Sequence, residues 1–145
     1  MAVDQELVDA AVAQMDERHP DDPEGGAAAV RGANGEIFTS VAFENINGGV
    51  TLCHETGGFI QAFTKNVAVT DSVCVARDPL FDAPVILAPC GICRERLALW
   101  GPDVEVGVPD PADPTKCLSR RLSEVHVSYW GRQYPDESGW SRRES

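Results

Sequence analysis

Two short cysteine motifs contain the residues of this chain that are best suited to chemistry. Cys53 lies two positions before Glu55, and Cys90 and Cys93 follow Pro89 as a Cys-x-x-Cys pair. Two thiols at that spacing lie one helical turn apart and can reach one metal ion, to which Cys53 adds a third ligand. Three protein ligands leave the fourth position of a zinc ion (Zn²⁺) for water, whose pKa the metal lowers to about 7. The motifs therefore predict a catalytic zinc site.

Glu55 is the candidate for proton transfer at this site, because it stands at a predicted helix start beside a ligand. Three thiolates form a negative centre, which helix N-termini and Arg94 or Arg96 would offset. For Arg94, a solvated helix residue is the alternative. Two other interpretations of the motifs remain open, a closed structural zinc site and a redox dithiol. The redox interpretation leaves Cys53 and Glu55 without a role.

Length and charge limit the possible partners. The chain of 145 residues suits one domain, and its formal net charge of -11 disfavours DNA or RNA as substrate. A small uncharged or cationic ligand fits better. No apolar run is long enough to span a membrane, and the acidic N-terminus does not resemble a signal peptide. We therefore expect a cytoplasmic protein with no membrane and no nucleic-acid partner.

The number of cysteines supports a metal site. Five cysteines, an odd count in such a chain, favour metal binding or catalysis over a disulfide framework. Cys74 stands in an apolar run and is expected in the core. Cys117 has no assigned role.

Hydrophobic spacing predicts the elements of the first half. A helix is expected over Val3–Arg18, and a second over His54–Lys65 with Phe59, Ile60 and Phe63 facing inward. Gly57 and Gly58 in this second helix indicate close backbone packing near the site. Two strands, Ala27–Val30 and Glu36–Phe43, are expected to form a hairpin.

The second half alternates strands and helices, which implies a largely parallel sheet portion with the hairpin at one side. The tail after Gly131 is polar and typical of a mobile segment. Strands are expected over Asp71–Arg77 and Val104–Val108, helices over Ile92–Trp100 and Lys116–Glu124, and apolar segments over Val85–Ala88 and Val125–Trp130.

Together the two motifs resemble the signature of the cytidine deaminase superfamily, a ligand-x-Glu followed by Pro-Cys-x-x-Cys. The resemblance runs from about Gly26 to Trp130, and the three cysteines are similar to the small branch that includes cytidine deaminases and blasticidin-S deaminases. It implies an α/β fold with a mixed five-stranded sheet sandwiched by helices. It also implies hydrolytic deamination at C4 of a cytosine ring, with Glu55 moving the protons and the Pro89 region over the reacting edge.

The chain departs from this family around the substrate's sugar. The family reads ribose with an Asn-x-Glu pair, whereas Ala42-Phe43-Glu44 stands here. Glu44 can still accept a hydrogen bond from a sugar hydroxyl. Thr56 stands where an arginine often follows the glutamate, and His54 where alanine is usual. We expect His54 to pack without binding the metal. Trp130 is a candidate lid over the substrate, or else an interface or core residue.

These departures leave more than one function open. Cytidine or deoxycytidine is the expected substrate. A modified cytosine nucleoside resembling blasticidin S is the first alternative, and a catalytically silent zinc-binding module is the second. The resemblance also implies a homo-oligomer, a tetramer or a dimer, whose subunits share active sites.

Overall fold

The computed structural model describes residues 2–142 and has an α/β fold. Its elements bear out the long first helix, the hairpin and the two helices that follow the cysteine motifs. The helices are α1 Gln5–Arg18, α2 Thr56–Thr64, α3 Gly91–Leu97, α4 Leu122–Val125 and α5 Pro135–Ser138. The strands are β1 Gly26–Gly32, β2 Ile37–Ser40, β3 Val69–Ala76, β4 Val85–Leu87, β5 Glu105–Asp110 and β6 Asp113–Arg121.

The sheet has six strands rather than the expected five, in the order β2-β1-β3-β5-β6, with β4 also paired to β3. Two strands share one side of β3. β5 runs parallel to its first half at Asp71 and Ser72, and β4 runs antiparallel to its second half from Cys74 to Ala76. The other pairs between named strands are antiparallel. The sheet is therefore mixed, as expected, but its parallel part is much smaller than the alternation of elements implied.

Helices cover both faces of this sheet. On one face, Leu7, Ala11 and Met15 of α1 pack against small and branched side chains of β1 and β3. On the other face, Phe59 of α2 and Leu97 of α3 share a core with Val30 and Val106. The layered arrangement predicted from sequence is confirmed, and Cys74 is buried as expected.

Two predictions about local structure were wrong. The segment predicted as a helix over Lys116–Glu124 is mostly strand β6, which pairs with β5 along its length, and only its last residues turn into α4. A tight connection at Pro111 and Ala112 makes β5 and β6 a hairpin, so ladder hydrogen bonds outweigh local helix propensity. The second error concerns Ile60 and Phe63, which are exposed because α2 buries its Gly58, Phe59 and Ala62 face instead.

The C-terminal segment packs on the end of α3. Trp140 is only 1% exposed, stacks on Tyr129 with ring centroids 4.7 Å apart, and donates from Nε1 to the carbonyl of Ala98 at 3.1 Å. The segment expected to be mobile is thus anchored through Trp140, while residues 143–145 lie outside the described part of the chain. No helix between residues 2 and 142 is long and apolar enough to cross a membrane.

Candidate active site

The three motif cysteines come together where two helices begin. Cys53 precedes α2, Cys90 is the N-cap of α3, and Cys93 lies in the first turn of α3. Their Sγ atoms all lie within 4.8 Å of one another, and those of Cys53 and Cys90 are 3.4 Å apart. Sulfur ligands at about 2.3 Å in a tetrahedron would be about 3.8 Å apart. The cluster therefore fits one zinc ion with a fourth position left open.

The protein environment treats the three thiols differently. Burial raises the pKa of Cys53 and of Cys93, and at Cys93 the nearby charge of Glu55 adds to this effect. Burial acts in the same direction on Cys90, but hydrogen bonds from the backbone of Cys93 and the thiol of Cys53 outweigh it, so its pKa lies below the usual value. Without a metal, the buried thiols therefore keep their protons more firmly than Cys90 does.

Glu55 lies beside this cluster in a buried position. It is the N-cap of α2 and is 5% exposed. Its charge contributes to the raised pKa of both Cys93 and Cys74. Glu55, Cys74 and Pro89 line the same small recess. The carboxylate of Glu55 thus lies close to the three cysteines and to Pro89. Proton transfer at a metal site requires such an arrangement.

Ser40, at the end of β2, holds the backbone that presents Cys53 and Glu55. Its hydroxyl donates to the carbonyl of His54 at 2.5 Å and accepts from the N–H of Gly58 at 2.9 Å. A Cβ on Gly57 would lie 2.6 Å from the Cβ of Ser40, so this approach requires glycine. The close packing predicted from the two glycines is confirmed. The part played by Ser40 was missed, because no motif or spacing links it to the cysteines.

His54 turns its ring away from the sulfur cluster. Its Nδ1 accepts a hydrogen bond from the N–H of Ala42 at 2.9 Å. Burial lowers the pKa of His54, against the charges of Glu55 and Glu44. The group of possible metal ligands contains the three cysteines and not His54.

The two arginines of α3 have separate hydrogen-bond partners. Arg94 donates from Nε to the carbonyl of Pro89 at 2.8 Å and from Nη1 to that of Val125 at 3.1 Å. Arg96 donates from Nη1 to Oγ1 of Thr56 at 2.7 Å. Arg94 therefore holds the segment that leads into Cys90, and Arg96 joins α3 to the first turn of α2. The sequence suggested an electrostatic role for both, but not these partners.

The predicted substrate-contacting residues lie in two places. Ala42, Phe43 and Glu44 follow β2, and the backbone of Phe43 pairs with Leu52, next to Cys53. Phe43 and Glu44 are exposed. Trp130 is also exposed, and its Nε1 donates to Glu95 of α3 at 2.7 Å. The structure thus joins the 42–44 segment directly to the cysteine motif, whereas Trp130 is attached through α3.

Known proteins with a similar chain were found by sequence and by structure. A blasticidin-S deaminase of Bacillus cereus is 31% identical over 104 residues, 69% of this chain and 74% of that relative. A probable cytidine deaminase of Dictyostelium discoideum is 35% identical over 68 residues, 47% of this chain and 44% of that relative. No family model matches the chain.

Solved structures extend this similarity over nearly the whole chain. The crystal structure of a cytidine deaminase from Bacillus anthracis has a TM-score of 0.85 and 37% identity, covering 93% of this chain and 94% of its own. A cytidine deaminase of Mycobacterium tuberculosis, 22% identical with a TM-score of 0.65 over 89% of this chain and 98% of its own, supports the fold alone.

Fold, cysteine cluster and relatives lead to one class of protein. Helices on both faces of a mixed sheet, with three thiols and a buried carboxylate at two helix starts, define a deaminase of the three-cysteine type. The chain belongs to the cytidine deaminase superfamily and is an enzyme.

Proposed function

We propose that the protein is a zinc-dependent hydrolytic deaminase that converts the cytosine ring of a small nucleoside to uracil and releases ammonia. Cytidine or deoxycytidine is the proposed substrate. One observation carries the proposal: the Sγ atoms of Cys53, Cys90 and Cys93 lie within 4.8 Å of one another, with the buried Glu55 beside them. That arrangement supplies both a metal site and a proton carrier.

Cys53, Cys90 and Cys93 are the proposed zinc ligands. When bound, zinc supplies a Lewis acid and lowers the pKa of water in the open position. The Arg94 hydrogen bonds to the Pro89 and Val125 carbonyls keep the entry to α3 in place, so that Cys90 and Cys93 face Cys53. A set of three sulfur donors is typical of zinc and not of magnesium or calcium.

Glu55 is the proposed general base and acid. Its carboxylate takes a proton from the attacking water as the C4–O bond forms, and passes that proton to ring N3. It then carries the second proton, from the C4 hydroxyl, to the amine as the C4–N bond breaks and the C4 carbonyl forms, so water and the cytosine ring give a uracil ring and ammonia. Burial favours these transfers, since bulk water does not compete with the carboxylate. Pro89, which lines the same recess, would cover the reacting edge of the ring.

Glu44 is the proposed acceptor for a sugar hydroxyl, with Ala42 and Phe43 beside it and Trp130 as a lid. Two observations favour a second candidate, a modified cytosine nucleoside resembling blasticidin S. Ala42 offers no polar side chain, and its N–H is already donated to His54. A relative that is 31% identical bears the name blasticidin-S deaminase. This alternative keeps the same ring chemistry and changes only the sugar.

Initial rates of ammonia release separate these possibilities. They are measured with cytidine, deoxycytidine, cytosine and blasticidin S. We expect the highest kcat/KM with cytidine or deoxycytidine. A highest kcat/KM with blasticidin S would favour the second candidate. A zinc-loaded protein that turns over none of the four would support the remaining possibility, a catalytically silent zinc-binding module.

We also propose that a second copy of the chain covers the groove between α2 and α3. This groove of about 510 Å³ is mainly apolar, and Ile60, Phe63 and Leu99 are exposed along it, Phe63 by 66%. Neighbouring exposed apolar side chains of this kind are typical of protein–protein interfaces. A dimer or tetramer built on it would place a second subunit beside Thr56, next to Glu55.

Light scattering after gel filtration tests the assembly. The wild type should elute as a dimer or tetramer, and Phe63→Glu as a smaller species. Leu80→Glu is the control, because Leu80 lies on the β3–β4 connection, is even more exposed than Phe63 and does not line the groove. A monomeric wild type would contradict the proposed interface.

A cytoplasmic location and the absence of a nucleic-acid partner complete the proposal. None of the five cysteines forms a disulfide, which suits a reducing compartment. A net charge of -11 opposes phosphate backbones.

A further inference from the structure

In sequence, His54 stands between Cys53, a proposed zinc ligand, and Glu55, the proposed proton carrier. Its side chain has neither of these two roles. Its Nδ1 accepts the hydrogen bond from the N–H of Ala42 at 2.9 Å. Because Nδ1 accepts, the proton of the neutral ring is on Nε2. The ring therefore reaches from the cysteine motif to the segment that carries Glu44.

The start of β1 leaves room for this ring. A Cβ on Gly26 would lie 2.8 Å from Nε2 and 3.1 Å from Cε1 of His54. A contact of 2.8 Å is too short for a Cβ, which would also lie 2.9 Å from the carbonyl oxygen of Val75, so a side chain at Gly26 would displace the imidazole or the strand. The ring thus lies between the first residue of β1 and the Ala42 backbone, and it contacts both.

Few hydrogen bonds hold the segment 42–44 where it is. Phe43 pairs with Leu52 through backbone hydrogen bonds of 3.1 Å and 2.9 Å, and residues 44–51 beyond this pair are all exposed. The hydrogen bond from Ala42 to His54 is the other one on this segment that the structure gives. The position of Glu44 relative to the cysteine motif therefore depends strongly on the His54 ring.

The backbone of the cysteine motif is held independently of that ring. Ser40 binds the carbonyl of His54 and the N–H of Gly58, so these contacts survive when the His54 side chain is shortened. Loss of the ring should therefore release the 42–44 segment and leave the sulfur cluster and Glu55 in place.

We propose that His54 is a positioning residue for the sugar end of the substrate, which fixes Glu44 at the correct distance from the cysteine motif. This inference rests on the proposed function. In this chain the backbone of Ala42 contributes to specificity. An asparagine at this position could contact the sugar through its side chain, whereas the N–H of Ala42 anchors the end of the strand to His54. The cytosine base of the nucleoside is bound without help from the hydrogen bond between Ala42 and His54.

The test compares a nucleoside with a base that has no sugar. For His54→Ala, KM for cytidine should rise about fivefold to tenfold, the loss expected for one hydrogen bond. The kcat/KM for 1-methylcytosine and the zinc content should stay within twofold of wild type. His54→Asn, whose Oδ1 can replace Nδ1 as acceptor, should restore most of the KM.

Equal losses with cytidine and 1-methylcytosine, no change with either, or loss of zinc from His54→Ala would each overturn the inference. Calorimetric dissociation constants for the two compounds provide a second measurement that does not need turnover. If wild type deaminates neither compound, the proposed function fails, and these dissociation constants alone decide whether His54 favours the sugar-bearing ligand. Equal weakening of both by His54→Ala then overturns the inference.

Discussion

Arg96 donates a hydrogen bond from Nη1 to Oγ1 of Thr56 at 2.7 Å, and so connects the two halves of the cysteine cluster. Arg96 lies one helical turn beyond Cys93 on α3, and Thr56 directly follows Glu55 at the start of α2. Apolar side chains line a groove between the two helices elsewhere. This hydrogen bond is therefore a fixed link between them.

Replacing Thr56 with Val should weaken zinc binding, because a hydrogen bond to a charged donor contributes about 1.5–3 kcal/mol. We expect the zinc dissociation constant, measured by chelator competition, to rise about tenfold. Thr56→Ser keeps the hydroxyl and serves as the control. Arg96→Met should have a similar effect, and the double variant should be no worse than either single one. Fully additive effects would show that the two side chains act separately.

Zinc binding should weaken as pH falls. Burial raises the pKa of Cys53 and Cys93, so both thiols carry protons at neutral pH and must release them to the metal. The dissociation constant should then rise at least about 100-fold for each pH unit below 8. Competition titrations at pH 6, 7 and 8 measure this slope. Cys117→Ser, a change outside the cluster, should leave it unaltered. A dissociation constant that rises by less than about tenfold per pH unit, which means less than one proton released per zinc bound, would argue against thiol ligands.

Gly57→Ala should destabilise the fold by roughly 1–3 kcal/mol, because the new Cβ would lie 2.6 Å from the Cβ of Ser40. The matched control is Gly91→Ala in the first turn of α3, where a Cβ meets nothing within 4 Å. That change should leave the free energy of unfolding unaltered or raise it by up to about 1 kcal/mol. Urea denaturation of both variants measures the difference. Similar effects would contradict the close contact between β2 and α2.

Arg31→Met should be the most destabilising of these changes. Arg31 is 2% exposed and its Nη1 lies 2.5 Å from the carboxylate of Asp71, which is 0% exposed. Removing the guanidinium leaves that buried carboxylate unpaired, at a cost of about 3–5 kcal/mol. The check is the change in unfolding free energy at pH 7.

Asp4→Asn is a milder change in the same network. Arg31 also donates to Asp4 at 2.8 Å, and this hydrogen bond holds the pKa of Asp4 below its usual value of 3.8. The contribution of Asp4 is therefore present at neutral pH and is lost as pH falls below about 3.8. The side chain of Asp4 is 51% exposed, so solvent screens its charge and the effect of Asp4→Asn should be much smaller. An Arg31→Met variant as stable as Asp4→Asn would contradict the buried ion pair.

Much of this arrangement was predictable because its signals are local. The period of α1, the turn between β1 and β2, and the Cys-x-x-Cys spacing each depend on neighbouring residues. Strand β6 was not predictable in this way, because its structure comes from pairing with β5. The orientation of Ile60 and Phe63 likewise depends on which face of α2 meets the sheet.

The positions of the cysteines and of Glu55 followed from sequence, but their supports did not. Ser40, Arg96 and His54 act through one or two hydrogen bonds each to other segments, and neither spacing nor hydrophobic period encodes such partners. The departures from the family pattern at Ala42 and Thr56 both fall at residues that take part in such hydrogen bonds. At Ala42 the hydrogen bond is made with the side chain of His54, and at Thr56 it is made with the side chain of Arg96.

The role of Glu55 is tested by measuring cytidine deamination and zinc content in the wild type and in Glu55→Gln. We expect the wild type to release ammonia, and Glu55→Gln to keep its zinc but lose activity by about 100-fold to 10,000-fold, the range for a general acid–base residue. Near wild-type turnover by the zinc-loaded Glu55→Gln variant would contradict the role of Glu55. A zinc-loaded wild type that releases no ammonia from any cytosine compound would contradict the proposed activity itself.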